Sequence, residues 1–129
     1  MKFMHLNISG NGSWKRDCEL TDVKFFPNLS IEFTRESDQS KWILRFKDYI
    51  AFKLTSEEFI IHLTGKETPT TGAFYIIENS PWVLELSKTN HPAIKTVKHY
   101  VFFFYDEIVE VISDELTCLS IPTSAKQIF

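Results

Sequence analysis

The segment KHYVFFFYDEIVEVISDEL, residues Lys98–Leu116, determines the fold predicted for this chain. Two apolar runs of strand length flank Asp106-Glu107, so the segment predicts a β-hairpin with a two-residue connection that pairs Tyr105 with Ile108. Strand side chains alternate between the two faces of a sheet. One face is almost entirely apolar and is the predicted core face; it carries Tyr100, Phe102, Phe104, Val109, Val111 and Ser113. The other face mixes polar and apolar side chains: His99, Val101, Phe103, Tyr105, Ile108, Glu110, Ile112 and Asp114.

Five carboxylates lie on or beside this hairpin, and they are the candidate functional residues: Asp106, Glu107, Glu110, Asp114 and Glu115. Glu110 is the most informative of them because Val109 and Val111 flank it, and a carboxylate is costly to bury without a partner. Three interpretations of Glu110 stay open. It is solvated or faces a protein partner, it pairs structurally with His99 or Asp114, or it is a cleft residue for general acid–base chemistry.

Alternation of apolar and polar residues predicts further strands on both sides of the hairpin. Residues 31–35, 41–47 and 50–54 are separated by short turns, so they predict an antiparallel meander. Its inward-facing residues are predicted to be Trp42, Leu44, Phe46, Ile50, Phe52 and Leu54. The remaining strand candidates are residues 3–8, 23–26, 73–77 and 116–121.

Two short helices are predicted from capping signals. Thr55 with Glu58 three residues later forms a capping-box pattern that favours a helix ending near Gly65, with a strand through the same residues as the alternative. Ser80-Pro81 is a typical helix start, and the helix is expected to end near Asn90. Its predicted buried stripe is Trp82, Val83 and Leu86.

These elements predict a mainly antiparallel β, α+β fold of about eight strands, arranged as a curved sheet or a sandwich, with two short helices. The 129 residues, of which 43% are hydrophobic, are expected to form a single domain over residues 1–129. No signal peptide and no apolar run of membrane-spanning length is evident, so the sequence predicts a cytoplasmic protein that does not contact a membrane. Cys18 and Cys118 are 100 positions apart, without a CxxC motif, and are predicted to be reduced thiols.

The charge distribution favours a basic protein partner. Residues 1–98 hold 13 Lys and Arg against 12 Asp and Glu, whereas residues 99–129 hold one Lys against five acids. All of the net charge of −3 therefore comes from the last part of the chain. Acids beside apolar anchors suit recognition of a basic protein, although an ordinary solvated strand face has the same composition. The net negative charge argues against nucleic acid as the partner.

No motif in the sequence indicates catalysis or a cofactor. The four glycines form no phosphate-binding loop, and the four histidines do not have metal-ligand spacing. The sequence therefore predicts a protein that is not an enzyme, with no cofactor and no metal.

Two short motifs, NSPW at residues 79–82 and KHYV…YDE…EVI at residues 98–112, resemble those of immunity proteins from bacterial contact-dependent growth inhibition and other polymorphic toxin systems. The resemblance covers residues 78–112. It implies a protein without chemistry of its own that binds a cognate toxin domain in the cytosol, as a monomer in the complex, and blocks its active site. Toxins of this class are often basic nucleases, so the five carboxylates would contact the toxin in place of its phosphate-rich substrate.

Two other functions are compatible with the sequence. One is an adaptor or oligomerising subunit that uses the Phe-rich sheet. The other is a small-ligand-binding domain or weak enzyme, with a cavity between sheet and helices lined by Tyr105, His99 and Glu110.

Overall fold

The computed structural model describes residues 1–8, 14–58, 69, 71–89 and 91–122. Within these ranges the chain forms nine strands: β1 (Lys2–His5), β2 (Cys18–Lys24), β3 (Leu29–Arg35), β4 (Ser40–Phe46), β5 (Ala51–Ser56), β6 (Phe74–Glu78), β7 (Lys98–Phe103), β8 (Glu107–Ser113) and β9 (Leu116–Ile121). One α-helix, α1 (Pro81–Ser87), follows β6, and a 3-10 helix, Pro92–Lys95, precedes β7. Among the described residues, no helix has the length and apolar character needed to cross a membrane.

The strands form two antiparallel sheets. Sheet I has the order β1-β6-β7-β8-β5, and sheet II has the order β2-β3-β4-β9. The predicted mainly β, α+β class is confirmed, with two separate sheets and one α-helix in the described part of the chain.

Aromatic side chains fill the space between the two sheets. Phe46 of sheet II lies 5.6 Å from Tyr100 and 5.8 Å from Phe102 of sheet I, measured between ring centroids. Phe33 contacts Phe74 in the same way at 5.4 Å. These edge-to-face contacts join the sheets through buried rings, so the core lies between them.

The quoted segment forms the predicted hairpin, but its connection is longer than predicted. Phe103 pairs with Ile108, so the loop contains four residues where two are predicted. The Tyr105 N–H donates to the Cys18 carbonyl of β2 at 2.9 Å, which holds the loop against sheet II. The pairing is displaced by two residues, an even number, so each side chain keeps its predicted face. The face of Phe102 and Val109 is buried against sheet II, as predicted.

The predicted meander is correct for two of its three strands. β3 and β4 pair as expected, and Trp42, Leu44 and Phe46 are buried. β5 instead crosses to sheet I and pairs with β8, after a turn at Asp48 where φ is +56°. It is an edge strand there, and the predicted inward residue Leu54 remains 51% exposed.

The helix predictions have different outcomes. Thr55 lies inside β5, and residues 59–65 of that predicted helix lie outside the described residues. Ser80 caps α1 as predicted, with its Oγ accepting from the Val83 N–H at 3.1 Å and Pro81 in the first turn. The helix ends at Ser87, before the predicted end near Asn90, and its predicted stripe is only half-buried.

Both cysteines are free thiols on opposite edges of sheet II. Cys18 is in β2 and Cys118 is in β9. Burial, followed by the adjacent Asp17 carboxylate, raises the pKa of Cys18 to about 12. The Cys18 thiol therefore stays protonated at neutral pH.

Candidate functional site

The five predicted partner-binding carboxylates lie in three places: at the hairpin loop, inside β8, and beyond the other end of β8. Asp106 and Glu107 are at the hairpin loop, whereas Asp114 and Glu115 follow the other end of β8. Seven residue steps of about 3.3 Å separate Glu107 from Asp114, a distance of about 23 Å along the strand. The five carboxylates therefore do not form one continuous surface patch.

Glu110 is not a surface residue, which corrects its assignment to the partner-binding set. It is 1% exposed, and its Oε1 lies 2.9 Å from His99 Nε2 on the neighbouring strand. The Trp82 ring of α1 packs edge-on against the His99 ring at 5.4 Å, so the helix covers this part of sheet I. Of the interpretations left open for Glu110, the structure shows structural pairing with His99.

A third residue extends the Glu110–His99 pair. The Ser80 Oγ lies 2.6 Å from His99 Nδ1 and also accepts the Val83 N–H at the start of α1. Both ring nitrogens of His99 are therefore engaged, and the chain Ser80–His99–Glu110 links the helix start to the centre of sheet I. A satisfied buried polar network of this kind fixes the relative position of the elements it joins.

Sequence reasoning considered His99 with Glu110 but did not find Ser80 as their partner. The available signal was the order of the elements: Ser80 follows β6 after one residue, and β6 pairs with the strand that carries His99. Only the observed register, in which Ile77 faces His99, places the cap residue beside the imidazole.

A different set of carboxylates gathers at the hairpin loop, and we call it the acidic tip: Asp17, Glu19, Glu36, Asp106 and Glu107. Four of these, with Tyr105, line an open concavity of about 450 Å³. Tyr105 is 57% exposed at its edge. The Glu36 N–H donates to the Asp17 carbonyl at 2.9 Å, which brings the turn after β3 close to the start of β2.

Among the described residues, no Lys or Arg forms a direct ion pair with any of the five members of the acidic tip, and the Arg35 guanidinium interacts with Asp17 electrostatically at longer range. Arg35 pairs with Asp38 at 2.7 Å. Arg16 donates to two backbone carbonyls and packs on the Phe103 ring. Partial burial, followed by Asp106 and Glu19, raises the pKa of Glu107. Partial burial and the like charges of its neighbours therefore both disfavour the ionised form of Glu107.

Replacing Glu107 with Gln is expected to stabilise the protein at pH 7. The pKa of Glu107 is higher in the folded protein than in the unfolded chain, so its ionised form costs folding free energy once the pH rises through the folded pKa. We expect a gain of a few tenths of a kcal/mol at pH 7, because the carboxylate is partly solvated. The gain in stability should disappear near pH 4. Urea unfolding of the parent and the variant at pH 7 and pH 4 measures it.

The matched control for this experiment is Glu115→Gln, the same chemical change beyond the other end of β8. It should produce no comparable pH-dependent gain. A Glu107→Gln variant that is less stable than the parent at pH 7, or equally stabilised at both pH values, would contradict repulsion at the tip.

Comparison with family models, curated proteins and solved structures finds no match to this chain. Among the described residues, no group of three or more His, Cys, Asp or Glu side chains could hold a metal ion.

The opposite end of the molecule combines acids with exposed aromatic residues. Asp114 and Glu115 lie there, and the Lys47 N–H donates to the Glu115 carbonyl at 3.2 Å. The ring of Tyr49, two residues beyond Lys47, lies 6.3 Å from that of Phe25, which is 51% exposed. This second end has fewer acids than the acidic tip but more exposed aromatic side chains.

Proposed function

We propose that this protein is a cytoplasmic immunity protein that binds and neutralises a cognate, basic toxin domain through its acidic tip, without catalysis. The observation that carries the proposal is the gathering of five carboxylates without ion-pair partners among the described residues. The motif resemblance in residues 78–112 suggests that the partner is a toxin domain. The negative charge of the tip suggests that this partner is positively charged.

The electrostatics of the tip support a binding role. Partial burial and then the like charges of Asp106 and Glu19 raise the pKa of Glu107 and so reduce folding stability at neutral pH. A destabilising charged residue of this kind is better explained by a role in recognition than by a role in folding. A concave surface of one sign attracts an oppositely charged partner and accelerates its encounter. A basic nuclease cleft that binds phosphate has the complementary charge.

Tyr105 supplies the apolar contact that charge alone lacks. It is 57% exposed, it lines the concavity beside Asp106, and its backbone N–H is held by Cys18. Aromatic residues on a fixed backbone are frequent binding hot spots because burying them orders few torsions. Tyr105 surrounded by carboxylates therefore forms an anchor with a charged rim.

The immunity role is tested first with the neighbouring reading frame. The protein encoded immediately upstream is expressed alone and together with this chain, and host growth and co-purification are measured. We expect toxicity that this chain relieves, together with a stable complex. A toxic neighbour that this chain neither relieves nor binds would contradict the immunity role.

The acidic tip is tested by association kinetics with that partner. The variant Glu19→Gln/Asp106→Asn/Glu107→Gln is expected to lower the association rate constant about 10- to 100-fold at low salt, because steering by the tip is lost. The difference should shrink as salt screens the charges. Stopped-flow measurements at several ionic strengths give the association rate constants and their dependence on salt.

The control removes three carboxylates from the opposite end, as Asp48→Asn/Asp114→Asn/Glu115→Gln. Both variants have the same net charge, so only the position of the charges differs. We expect the control to change the association rate constant less than threefold. If the control variant associates slowly and the tip variant associates at the rate of the parent, the partner binds at the opposite end, beside Phe25 and Tyr49.

A further inference from the structure

A large open groove lies beside α1, far from the acidic tip. It has a volume of about 1140 Å³ and runs between α1, the 3-10 helix, the end of β6 and the start of β7. β7 begins at Lys98 in the groove and ends at Phe103 next to the hairpin loop, so five steps of about 3.3 Å, or about 17 Å, lie between them. The groove and the acidic tip are therefore separate sites on one molecule.

Most of the groove wall is apolar. It is formed by Met4, Ile76, Ile77, Val83, Leu84, Ile94 and Val97. Leu84 is 67% exposed and Met4 is 40% exposed, although both line a concave surface. Concave apolar surface that the described residues leave open to solvent is typical of a ligand site rather than of core packing.

The polar groups of the groove are divided between its floor and its rim. At the floor, Ser80 and His99 already bond to each other, to Val83 and to Glu110, so their polar atoms are occupied. The rim carries two exposed lysines, Lys95 and Lys98.

The charge of the rim is net positive. Neither Lys95 nor Lys98 forms an ion pair with a described carboxylate. The lining also includes one carboxylate, Glu78, and the side chain of His91. Two cations against one anion favour an anionic group at the mouth of the groove.

We infer that this groove binds an anionic aliphatic amphiphile, a straight-chain monocarboxylate, with its hydrocarbon chain against Leu84 and Met4 and its carboxylate at Lys95 and Lys98. The apolar wall takes up the chain, and the ammonium groups provide charge-assisted hydrogen bonds to the headgroup. Because the polar atoms of Ser80 and His99 are already hydrogen-bonded to each other and to their neighbours, the carboxylate headgroup is placed at the rim. This inference goes beyond the proposed immunity function and does not depend on it.

Octanoate, nonanoate and decanoate are the probes, and binding to the full chain is followed by NMR titration of the methyl resonances of Leu84 and Ile94. Affinity should rise up to about fourfold with each added methylene, the value for full burial of a CH2 group. Octanol and octyltrimethylammonium, which carry the same octyl chain as nonanoate with a neutral or cationic head, should bind at least tenfold more weakly than nonanoate.

Two variants distinguish the contribution of the lysines at the rim from that of the apolar wall. Lys95→Gln/Lys98→Gln should weaken octanoate about tenfold and leave octanol unchanged, because only the headgroup contact is lost. Leu84→Asp should weaken all probes, since it places a carboxylate in the apolar wall at an exposed helix position that tolerates the change. The matched control Lys41→Gln/Lys47→Gln alters sheet II and its turn and should have no effect on binding.

Several results would overturn the inference. Absence of saturable binding by any carboxylate would exclude it, as would binding that Leu84→Asp and Lys95→Gln/Lys98→Gln leave intact. Octanol that binds as tightly as nonanoate would exclude the assigned anionic head. The groove variants should not change association with a toxin partner, so failure of this inference and failure of the proposed function are distinguishable.

Discussion

Replacing Glu110 with Ala is expected to lower the free energy of unfolding by about 3–5 kcal/mol. Glu110 is 1% exposed, and its Oε1 is hydrogen-bonded to His99 Nε2 at 2.9 Å. Its removal leaves a buried imidazole nitrogen without this partner and opens a cavity beside it. Because His99 also holds Ser80, the loss should extend to the start of α1.

Urea unfolding of the parent and of Glu110→Ala measures the effect, and Glu110→Gln is the matched control. The amide keeps the shape of the side chain and an oxygen that can accept from His99, so its cost should be smaller, about 1–2 kcal/mol. A cost below about 1 kcal/mol for Glu110→Ala would contradict the buried pairing. It would return Glu110 to the list of surface carboxylates.

Phe102→Ala is expected to destabilise the protein by about 3–5 kcal/mol through loss of core contacts. The Phe102 ring has no exposed surface and lies 5.2 Å from Phe74 within sheet I and 5.8 Å from Phe46 across the interface with sheet II. Truncation therefore removes one of the contacts that join the two sheets and leaves a cavity between them.

Leu54→Ala is the control for this second variant. Leu54 is also apolar and also lies in sheet I, but it is 51% exposed on the edge strand β5. Thermal or urea unfolding should show a cost for Leu54→Ala below about 1 kcal/mol, because little buried area is lost. Similar costs for the two variants would contradict a core concentrated between the sheets.

The sequence predicted which side chains share a face more reliably than which residues pair. Alternation alone assigns Phe102 and Val109 to the core face, and any even displacement of the register preserves that assignment. The loop length depends on a contact with another sheet, the hydrogen bond from Tyr105 to the Cys18 carbonyl. Residues 98–116 contain no information about that contact.

The same limit explains the partial prediction of the candidate site. Asp106 and Glu107 were found from the sequence because they lie in the hairpin itself. Asp17, Glu19 and Glu36 were not found, because they belong to a part of the chain in which positive and negative charges nearly cancel. The turn after β3 and the start of β2 meet the hairpin loop only after the two sheets pack together.

The sheet that β5 joins also could not be predicted from the local sequence pattern. Residues 50–54 alternate like the two strands before them, so the sequence predicts continuation of one meander. The apolar strand β8 required a partner on its free edge, and the turn at Asp48 allows the chain to cross to it. Short-range pattern specifies a strand, whereas the choice of its neighbour depends on which edges the rest of the fold leaves unpaired.

The sequence by itself determined the mainly β class, most of the strand positions, the core face of the hairpin and the Ser80 cap, since these depend on alternation and on neighbouring residues. The prediction for β2 was wrong, because this strand begins at Cys18 and ends at Lys24 and the predicted range was 23–26. Only the tertiary structure decided that Glu110 is buried against His99, that Asp114 and Glu115 lie far from Asp106, and that β2 completes the acidic tip. These features join residues that are distant in sequence. Their physical origin is the packing of two sheets and a helix, which selects one arrangement of pairs and burial from the many that the local pattern permits.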